Sequence, residues 1–132
     1  MGNPAARMND PVMGTDIHII LIPSPSGAVP TPLPHPFTGQ LLSGLATKTM
    51  INGLPAAVQG SVAQCIPPHI PQGGPFQIPP RNAGEVMMGS VTVYIEGKPA
   101  ARLGDKVLTC NDPAPLPNGT VTMGSPNVLI GG

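Results

Sequence analysis

The sequence has very little aromatic content and very little charge. It contains two Phe, one Tyr and no Trp in 132 residues, and charged side chains make up only 9%. Six Lys and Arg residues balance six Asp and Glu residues, so there is no basic surface of the kind that binds nucleic acid or acidic membranes. So few large side chains give a thin core, and small domains of this kind commonly need a disulfide, a metal or a partner subunit.

Targeting and membrane-spanning segments are also missing from the pattern. The N-terminus shows no basic region followed by an apolar stretch, so no secretory signal is predicted. The longest strongly apolar run, residues 17–22, is interrupted by His18 and is far too short to span a bilayer. We therefore expect synthesis in the cytoplasm, with any export by another route.

Turn-forming residues are abundant, with 20 Pro and 17 Gly. Such a composition would suggest disorder, but disordered chains usually combine low hydrophobicity with high net charge. This chain is 40% apolar and has no net charge. We therefore expect a single folded domain over residues 1–132, in which Pro and Gly form turns.

One phrase recurs along the chain. Residues 90–110 contain a β-branched run, a turn at Glu96-Gly97 and a second half that ends at Cys110. Residues 50–65 match this phrase at an offset of 44 residues, while residues 3–10 repeat its second half and residues 124–132 its first half. Repetition on this scale predicts one supersecondary unit used three times. It indicates pseudo-threefold packing, with the chain ends close together.

The local patterns predict strands and loops without a helix. Residues 17–22 indicate a buried strand, and Asn52-Gly53 and Glu96-Gly97 indicate hairpin turns. The six prolines of residues 23–36 exclude a helix, so we expect an extended, turn-rich loop there. Further predictions are Pro-rich loops over residues 64–82 and 112–118, and a last strand pair over residues 121–130. The fold class is therefore an all-β domain.

Five side chains could bind a metal that prefers nitrogen and sulfur donors. They are His18, His35, Cys65, His69 and Cys110. Imidazole and thiolate together favour zinc over magnesium or calcium. Spacing alone leaves two alternatives open: packed residues that bind no metal, and a Cys65–Cys110 disulfide, which a reducing compartment disfavours.

The repeated phrase contains a recognisable four-residue word. Residues 4–7 and 99–102 both read PAAR, and residues 55–58 read PAAV. With the terminal GSPNVLIGG, these words resemble the PAAR-repeat family, and the resemblance extends over essentially the whole chain. It implies a small conical domain with pseudo-threefold repeats and Pro-rich loops, which caps and sharpens the spike of a contractile injection system, such as type VI secretion or a phage-tail-like particle.

The resemblance also implies a structural zinc ion near the apex, bound by three His and one Cys. In this sequence these ligands map to His18, His35, His69 and Cys110. Cys65 is the alternative thiolate, but it lies four residues before His69 and would compete for the same corner. The implied partner is a VgrG-like trimeric spike protein, bound through a flat apolar base.

The implied function is mechanical: the tip helps the spike to pierce a target membrane, and no enzymatic activity is expected. One alternative is an adaptor that docks or displays a separate toxin effector on the spike. Another is a small zinc-dependent hydrolase, but that needs an open coordination position and a general base, and the sequence has no nucleophile elbow. We expect the protein in the injection particle, delivered outside or into the target cell, with only transient membrane contact.

Overall fold

The computed structural model describes residues 2–71, 73–112 and 114–131. These residues form strands, turns and irregular segments and contain no helix, which confirms the all-β prediction. Within the same ranges, therefore, no helix has the length and apolar character needed to cross a membrane. The strands are β1 (Asn3–Pro4), β2 (Pro11–Ile22), β3 (Val29–Ser43), β4 (Ala46–Ile51), β5 (Leu54–Ala56), β6 (Val62–Cys65), β7 (Ala83–Val86), β8 (Tyr94–Ile95), β9 (Lys98–Pro99), β10 (Lys106–Thr109), β11 (Leu116–Val121) and β12 (Leu129–Ile130).

Six of these strands close into a barrel in the order β10-β11-β2-β3-β6-β7. The longest ladder is antiparallel and joins β2 to β3 without a break, from Pro11 opposite Gln40 to Ile22 opposite Val29. On either side, β11 reaches only as far as Gly14 of β2, and β6 only as far as Gly39 of β3. The half of the β2–β3 hairpin that contains its turn, residues 15–38, therefore extends beyond the neighbouring barrel strands.

Residues 29–36 belong to strand β3, so the loop expected over residues 23–36 is shorter than predicted. The prolines of this stretch occupy every second position: Pro30, Pro32, Pro34 and Pro36. Backbone N–H groups point alternately to the two sides of a strand, so all four missing donors fall on one side. Prolines at every second position are therefore compatible with a strand, because they leave the hydrogen-bond ladder between β3 and β2 intact.

Backbone hydrogen bonds of β2 agree with this arrangement. Ile17, Ile19 and Leu21 lie opposite prolines of β3, and each uses its backbone on the far side of β2. Leu21 donates to the carbonyl of Pro75 at 2.9 Å, and the carbonyl of Ile19 accepts from Gln77 at 2.8 Å. The backbone N–H and C=O groups of the β2 residues opposite the prolines therefore do not need hydrogen-bond partners from β3.

Two further expectations need correction. The loop predicted over residues 112–118 gives way to strand β11 at Leu116, while Pro113 lies outside the described residues. The strand pair predicted over residues 121–130 does not form, because β11 pairs with β10 and β2, and β12 pairs with β1. Sequence proximity favoured the local pairing, but the threefold arrangement sends these two strands to different sheets.

Two of the repeat units are hairpins with tight turns. Strands β4 and β5 are joined by Asn52 and Gly53, with φ of 54° and 81°, and strands β8 and β9 by Glu96 and Gly97, with φ of 52° and 82°. Positive φ at both central residues is the signature of a type I′ turn, which matches the twist of a hairpin. The two predicted hairpin turns are therefore confirmed.

The third unit is assembled from the two ends of the chain. Strand β12 pairs antiparallel with β1, and Ile130 lies opposite Asn3. The same register places Ile51 opposite Leu54 in β4–β5 and Ile95 opposite Lys98 in β8–β9. The expected closeness of the chain ends is thus confirmed.

The three units meet in a closed ring of hydrogen bonds. The backbone N–H of Ala6 donates to the carbonyl of Ala101, Ala101 donates to Ala57, and Ala57 donates to Ala6, each at 3.0 Å. All three alanines are fully buried. Because each unit donates to the next and accepts from the previous one, the pseudo-threefold relation predicted from the repeats is confirmed.

An arginine–aspartate turn closes two of the three units. Asp105 accepts hydrogen bonds from the backbone N–H of Arg102 at 2.7 Å and from its guanidinium at 3.0 and 3.3 Å. Arg7 and Asp10 repeat the same contacts at 2.8, 3.1 and 3.2 Å. In the unit that reads PAAV, the hydroxyl of Ser61 accepts from the equivalent backbone N–H at 2.9 Å.

The apolar core follows the division between barrel and hairpins. The barrel cluster contains Ala6, Val12, Phe37, Leu41, Ala57, Ala63, Cys65, Val86, Ala101, Val107, Cys110 and Val121. The hairpin cluster contains Ala5, Ala46, Ile51, Ala56, Val58, Ala100 and Ile130. Small side chains dominate both clusters, as expected for a chain with so few aromatics. Only Phe37 adds a large ring to this core.

Candidate metal centre

The extended β2–β3 hairpin carries three polar side chains into the interior. Asp16 and His18 lie on β2, and His35 lies directly opposite Asp16 on β3. Because successive side chains of a strand point to opposite faces, the spacing of two residues places Asp16 and His18 on the same face. Their exposed fractions are 0% for Asp16, 0% for His18 and 2% for His35.

Two more side chains reach this place from neighbouring segments. His69 lies between β6 and β7, where its backbone N–H donates to the side-chain oxygen of Asn82 at 2.9 Å. Cys110 directly follows β10. Both are buried. The loop and the strand end thus converge on the hairpin from separate parts of the barrel.

Four donor atoms form a tight group. The ligand atoms of Asp16, His18, His69 and Cys110 all lie within 4.8 Å of one another. Asp16 Oδ2 lies 3.0 Å from His69 Nε2, and Cys110 Sγ lies 3.8 Å from His18 Nε2. Ligands that share one tetrahedral zinc ion lie about 3.3–3.6 Å apart, given bonds of about 2.0–2.3 Å. The spacing is therefore compatible with one shared metal ion.

His35 lies at the edge of this group. Its ring centroid is 5.4 Å from that of His18 and 5.7 Å from that of His69. Its Nδ1 lies 2.9 Å from the carbonyl oxygen of Leu33, which fixes the proton on that nitrogen. Its Nε2 is buried and has no hydrogen-bond partner among the described residues. Buried polar atoms are almost always paired, so a metal ion would supply the partner that this nitrogen lacks.

Polar groups behind the donors hold them in place. The carboxylate of Asp112 lies 3.2 Å from His18 Nδ1, which leaves Nε2 of that ring directed at Cys110. The hydroxyl of Thr109 donates to the other oxygen of Asp16, Oδ1. Carboxylate–histidine pairs of this kind orient metal-binding imidazoles and raise their basicity.

The protonation states follow from burial and from these contacts. Burial raises the pKa of the Cys110 thiol to about 11, and the charge of Asp16 acts in the same direction. Burial also acts to raise the pKa of Asp16, but hydrogen bonds from His69, Thr109 and Cys110 outweigh it, so that pKa lies below its usual value. Burial lowers the pKa of His35. A metal would therefore meet a carboxylate and a neutral imidazole, and it would have to displace the thiol proton of Cys110.

Cys65 lies elsewhere in the core. It is the last residue of β6, and its Sγ donates to the carbonyl oxygen of Pro67 at 3.4 Å. It is not one of the four tightly grouped donors. Both cysteines are free, so the Cys65–Cys110 disulfide considered from the sequence does not form.

Sequence reasoning grouped His18, His35, His69 and Cys110 but missed Asp16 and Asp112. Of the predicted ligands, His35 is not one of the four tightly grouped donors. A signal for Asp16 was present, because Asp-x-His on a single buried strand directs both side chains to one face. Asp112 gave no comparable signal. It reaches His18 only because the segment after β10 runs alongside β2, where Asp112 donates its backbone N–H to Ile17 at 2.8 Å.

The donor set fits zinc by its chemistry. Imidazole nitrogen and thiolate sulfur are the usual zinc ligands, and calcium and magnesium prefer oxygen. The burial of all these donors favours a closed structural site over one that keeps a position open for substrate. The group can therefore cross-link the β2–β3 hairpin, the loop that carries His69 and the end of β10.

The comparison with protein families agrees with the repeat architecture. The family model for the PAAR motif matches residues 77–132. No curated protein shows significant similarity to the sequence. The matched segment contains Cys110 and one complete hairpin unit, β8–β9, with its PAAR word. Proteins with this motif are structural parts of injection particles and not an enzyme family. Residues 77–132 belong to the PAAR-motif family, and this match, together with the three equivalent units, supports a PAAR-repeat protein of the kind found at the spike tips of contractile injection systems.

Proposed function

We propose that this protein caps and sharpens the trimeric spike of a contractile injection system, and that residues 1–132 act as one rigid domain. The observation that carries the proposal is the hydrogen-bonded ring of Ala6, Ala57 and Ala101. It gives a single chain an approximate threefold axis, and each subunit of a trimer can then meet one equivalent repeat unit.

The three hairpins offer a surface suited to such a partner. Met50, Tyr94 and Leu129 occupy equivalent positions, each opposite the proline of a PAAR-type word. Their exposed fractions are 57%, 60% and 62%. We call these three side chains the hairpin face. Equivalent exposed apolar side chains around a threefold axis fit a trimeric partner, since each can enter the same pocket of a different subunit.

The proposed zinc site stiffens the β2–β3 hairpin and the segments that pack against it. His18, His35, His69 and Cys110 are the proposed ligands, and they belong to segments that are far apart in the chain. The zinc ion would supply a structural cross-link between them. In small zinc-binding peptides such links contribute about 10 kcal/mol or more of folding free energy. This rigidity suits a part that bears load during contraction.

The charge distribution supports the piercing role. Residues 17–47 and 49–80 contain no Asp, Glu, Lys or Arg, and they include the part of the β2–β3 hairpin beyond Asp16 and the loop that carries His69. Moving a charge into a bilayer is costly, so a tip without charged side chains enters it more easily. The many prolines help as well, because they lack the N–H group that would otherwise need a partner there.

The competing functions have less support. A zinc hydrolase needs an exposed metal position, but Asp16 and His18 are fully buried, and Cys110 and His69 are 6% and 8% exposed. An adaptor for a toxin effector would need a second contact surface besides the hairpin face. Co-purification of a toxin effector together with the spike trimer would distinguish this adaptor role from the spike-tip role.

The proposal is tested by co-purification with the spike trimer of the same injection system. We expect one copy of this protein per trimer. A combined variant with Met50→Asp, Tyr94→Asp and Leu129→Asp should lose the spike while keeping its zinc. Met13→Asp is the matched control, since Met13 is 52% exposed but lies on β2 of the barrel. Equal spike binding by the triple variant and the wild type would refute the proposed docking surface.

A further inference from the structure

We propose that Asp16 is itself a ligand of the metal, in addition to the three histidines and Cys110. This inference rests on the proposed metal site and adds a carboxylate that the resemblance to the PAAR-repeat family does not supply. Asp16 is fully buried on β2, two residues before His18.

The position of Asp16 Oδ2 is that of a donor within the group. It lies 3.0 Å from His69 Nε2, 3.4 Å from Cys110 Sγ and 3.9 Å from His18 Nε2. With Asp16 the metal would have five ligands, and bonds of about 2.0–2.3 Å at angles of about 90–120° place neighbouring donor atoms about 2.8–3.9 Å apart. The distances from Asp16 Oδ2 to these three atoms are therefore those expected between ligands of one metal ion.

Metal binding would remove the protons that now satisfy this oxygen. In the described part of the chain, the polar atoms around Oδ2 are the proposed ligand atoms of His69, Cys110 and His18. A metal-bound imidazole nitrogen and a thiolate carry no proton, so they cannot donate a hydrogen bond to a carboxylate. Oδ2 would then be a buried anion beside three metal-bound atoms that offer it no proton. Coordination to the same metal resolves this conflict.

The other oxygen of the Asp16 carboxylate already accepts a hydrogen bond. Asp16 Oδ1 accepts the hydroxyl proton of Thr109, a residue that is fully buried at the end of β10. This contact fixes the carboxylate plane and leaves Oδ2 as the single coordinating oxygen. Thr109 is therefore the positioning residue for this ligand.

Charge balance points in the same direction. A zinc ion with one thiolate carries a net charge of about +1, and an unpaired charge in a buried site is costly. The carboxylate of Asp16 would cancel this charge inside the group itself. The carboxylate of Asp112 acts from outside, on the far nitrogen of His18.

The test uses the whole chain loaded with Co²⁺ in place of zinc, because the visible spectrum of Co²⁺ reports the number and type of its ligands. Asp16→Asn keeps the shape of the side chain but removes its charge and most of its affinity for metal. We expect the variant to show an altered cobalt spectrum and at least about 100-fold weaker zinc binding. This loss exceeds the about 10–100-fold loss that is typical when a residue that only hydrogen-bonds to a metal ligand is replaced. Asp10→Asn is the matched control, because Asp10 is also a buried carboxylate but pairs with Arg7. The control should keep both properties of the wild type.

A variant spectrum identical to that of the wild type would overturn the proposal, even if affinity fell. If Asp16→Asn does not fold, zinc-edge X-ray absorption of the wild type decides the question. We expect one sulfur and four nitrogen or oxygen ligands. One sulfur with three nitrogen or oxygen ligands, all three of them imidazoles by their multiple-scattering signal, would remove Asp16 from the metal while leaving the proposed zinc site intact. A wild-type protein that binds no zinc would instead refute the metal site as a whole.

Discussion

Gly14 of β2 and Gly119 of β11 lie directly opposite each other on neighbouring strands of the barrel, and neither position has room for a Cβ atom. At Gly14 the added atom would clash with the carbonyl oxygen of Asn118, and at Gly119 it would lie 2.8 Å from the Cγ2 atom of Thr109. The space beside each glycine is therefore filled by its neighbours, and the backbones of β2 and β11 pack closely here because neither glycine carries a side chain. Thr109 is also the residue that holds Asp16, so this close contact lies directly beneath the metal centre.

Gly14→Ala should lower the free energy of unfolding by at least about 1–3 kcal/mol, because the clash is with backbone that cannot rotate away. Gly119→Ala should cost a similar amount and also weaken metal binding, since the new methyl group pushes on Thr109. Chemical denaturation measures the first effect and zinc titration the second. Gly131→Ala is the control, because nothing lies within 4 Å of its added Cβ. Equal stability of the Gly14 variant and this control would show that β11 leaves room for a Cβ atom at Gly14.

Asp105→Ala should destabilise the protein by about 1–3 kcal/mol, because it removes a charge-assisted fork to Arg102 and a cap on a backbone N–H. Asp105→Ser should recover part of this loss, since Ser61 provides the same backbone cap in the PAAV unit. Thermal unfolding of the two variants and the wild type measures their order of stability. If Ser proved no better than Ala, the backbone cap would contribute nothing, and the arginine fork alone would account for the effect.

Cys110→Ser should reduce bound zinc from about one ion per chain to a small fraction and lower the melting temperature of the protein. Cys65→Ser should keep the zinc, because Cys65 lies outside the tightly grouped donors. Elemental analysis after gel filtration measures the metal, and differential scanning calorimetry measures the stability. The opposite pattern, with zinc lost only on replacement of Cys65, would reverse the assignment of the thiolate ligand.

Zinc affinity should depend on pH through Cys110. Because the pKa of this thiol is about 11 without metal, zinc must displace its proton throughout the neutral range. Release of one proton makes the apparent affinity rise about tenfold per pH unit from pH 7 to pH 9, and fall correspondingly as the pH is lowered. Competition with a chromophoric chelator measures the slope.

Cys110→His provides the control for this slope. A histidine ligand is already deprotonated above about pH 7, so zinc displaces no proton from it. The affinity of this variant should therefore be nearly constant from pH 7 to pH 9. A flat profile in the wild type would show that no thiol proton is lost on binding.

Several features of the molecule follow from the sequence alone. The 44-residue offset and the split copy at the chain ends determined the threefold plan, because a repeat unit that cannot bury its own face must pack against its copies. Asn52-Gly53 and Glu96-Gly97 determined two hairpin turns through their tolerance of positive φ. The PAAR words marked the turns that Arg7 and Arg102 close.

Other features were decided only by the tertiary structure. The number of prolines in residues 30–36 predicted a loop, but these residues form a strand that pairs with β2. The strand register decides which backbone groups need hydrogen-bond partners, and the prolines fall where none is needed. The sequence contained no signal for Asp112, and the Asp-x-His pattern of Asp16 indicates a shared face with His18 but not which other side chains lie there. Their roles depend on which side chains lie within about 4 Å, and such convergence between distant segments is a property of the folded chain and not of any local pattern.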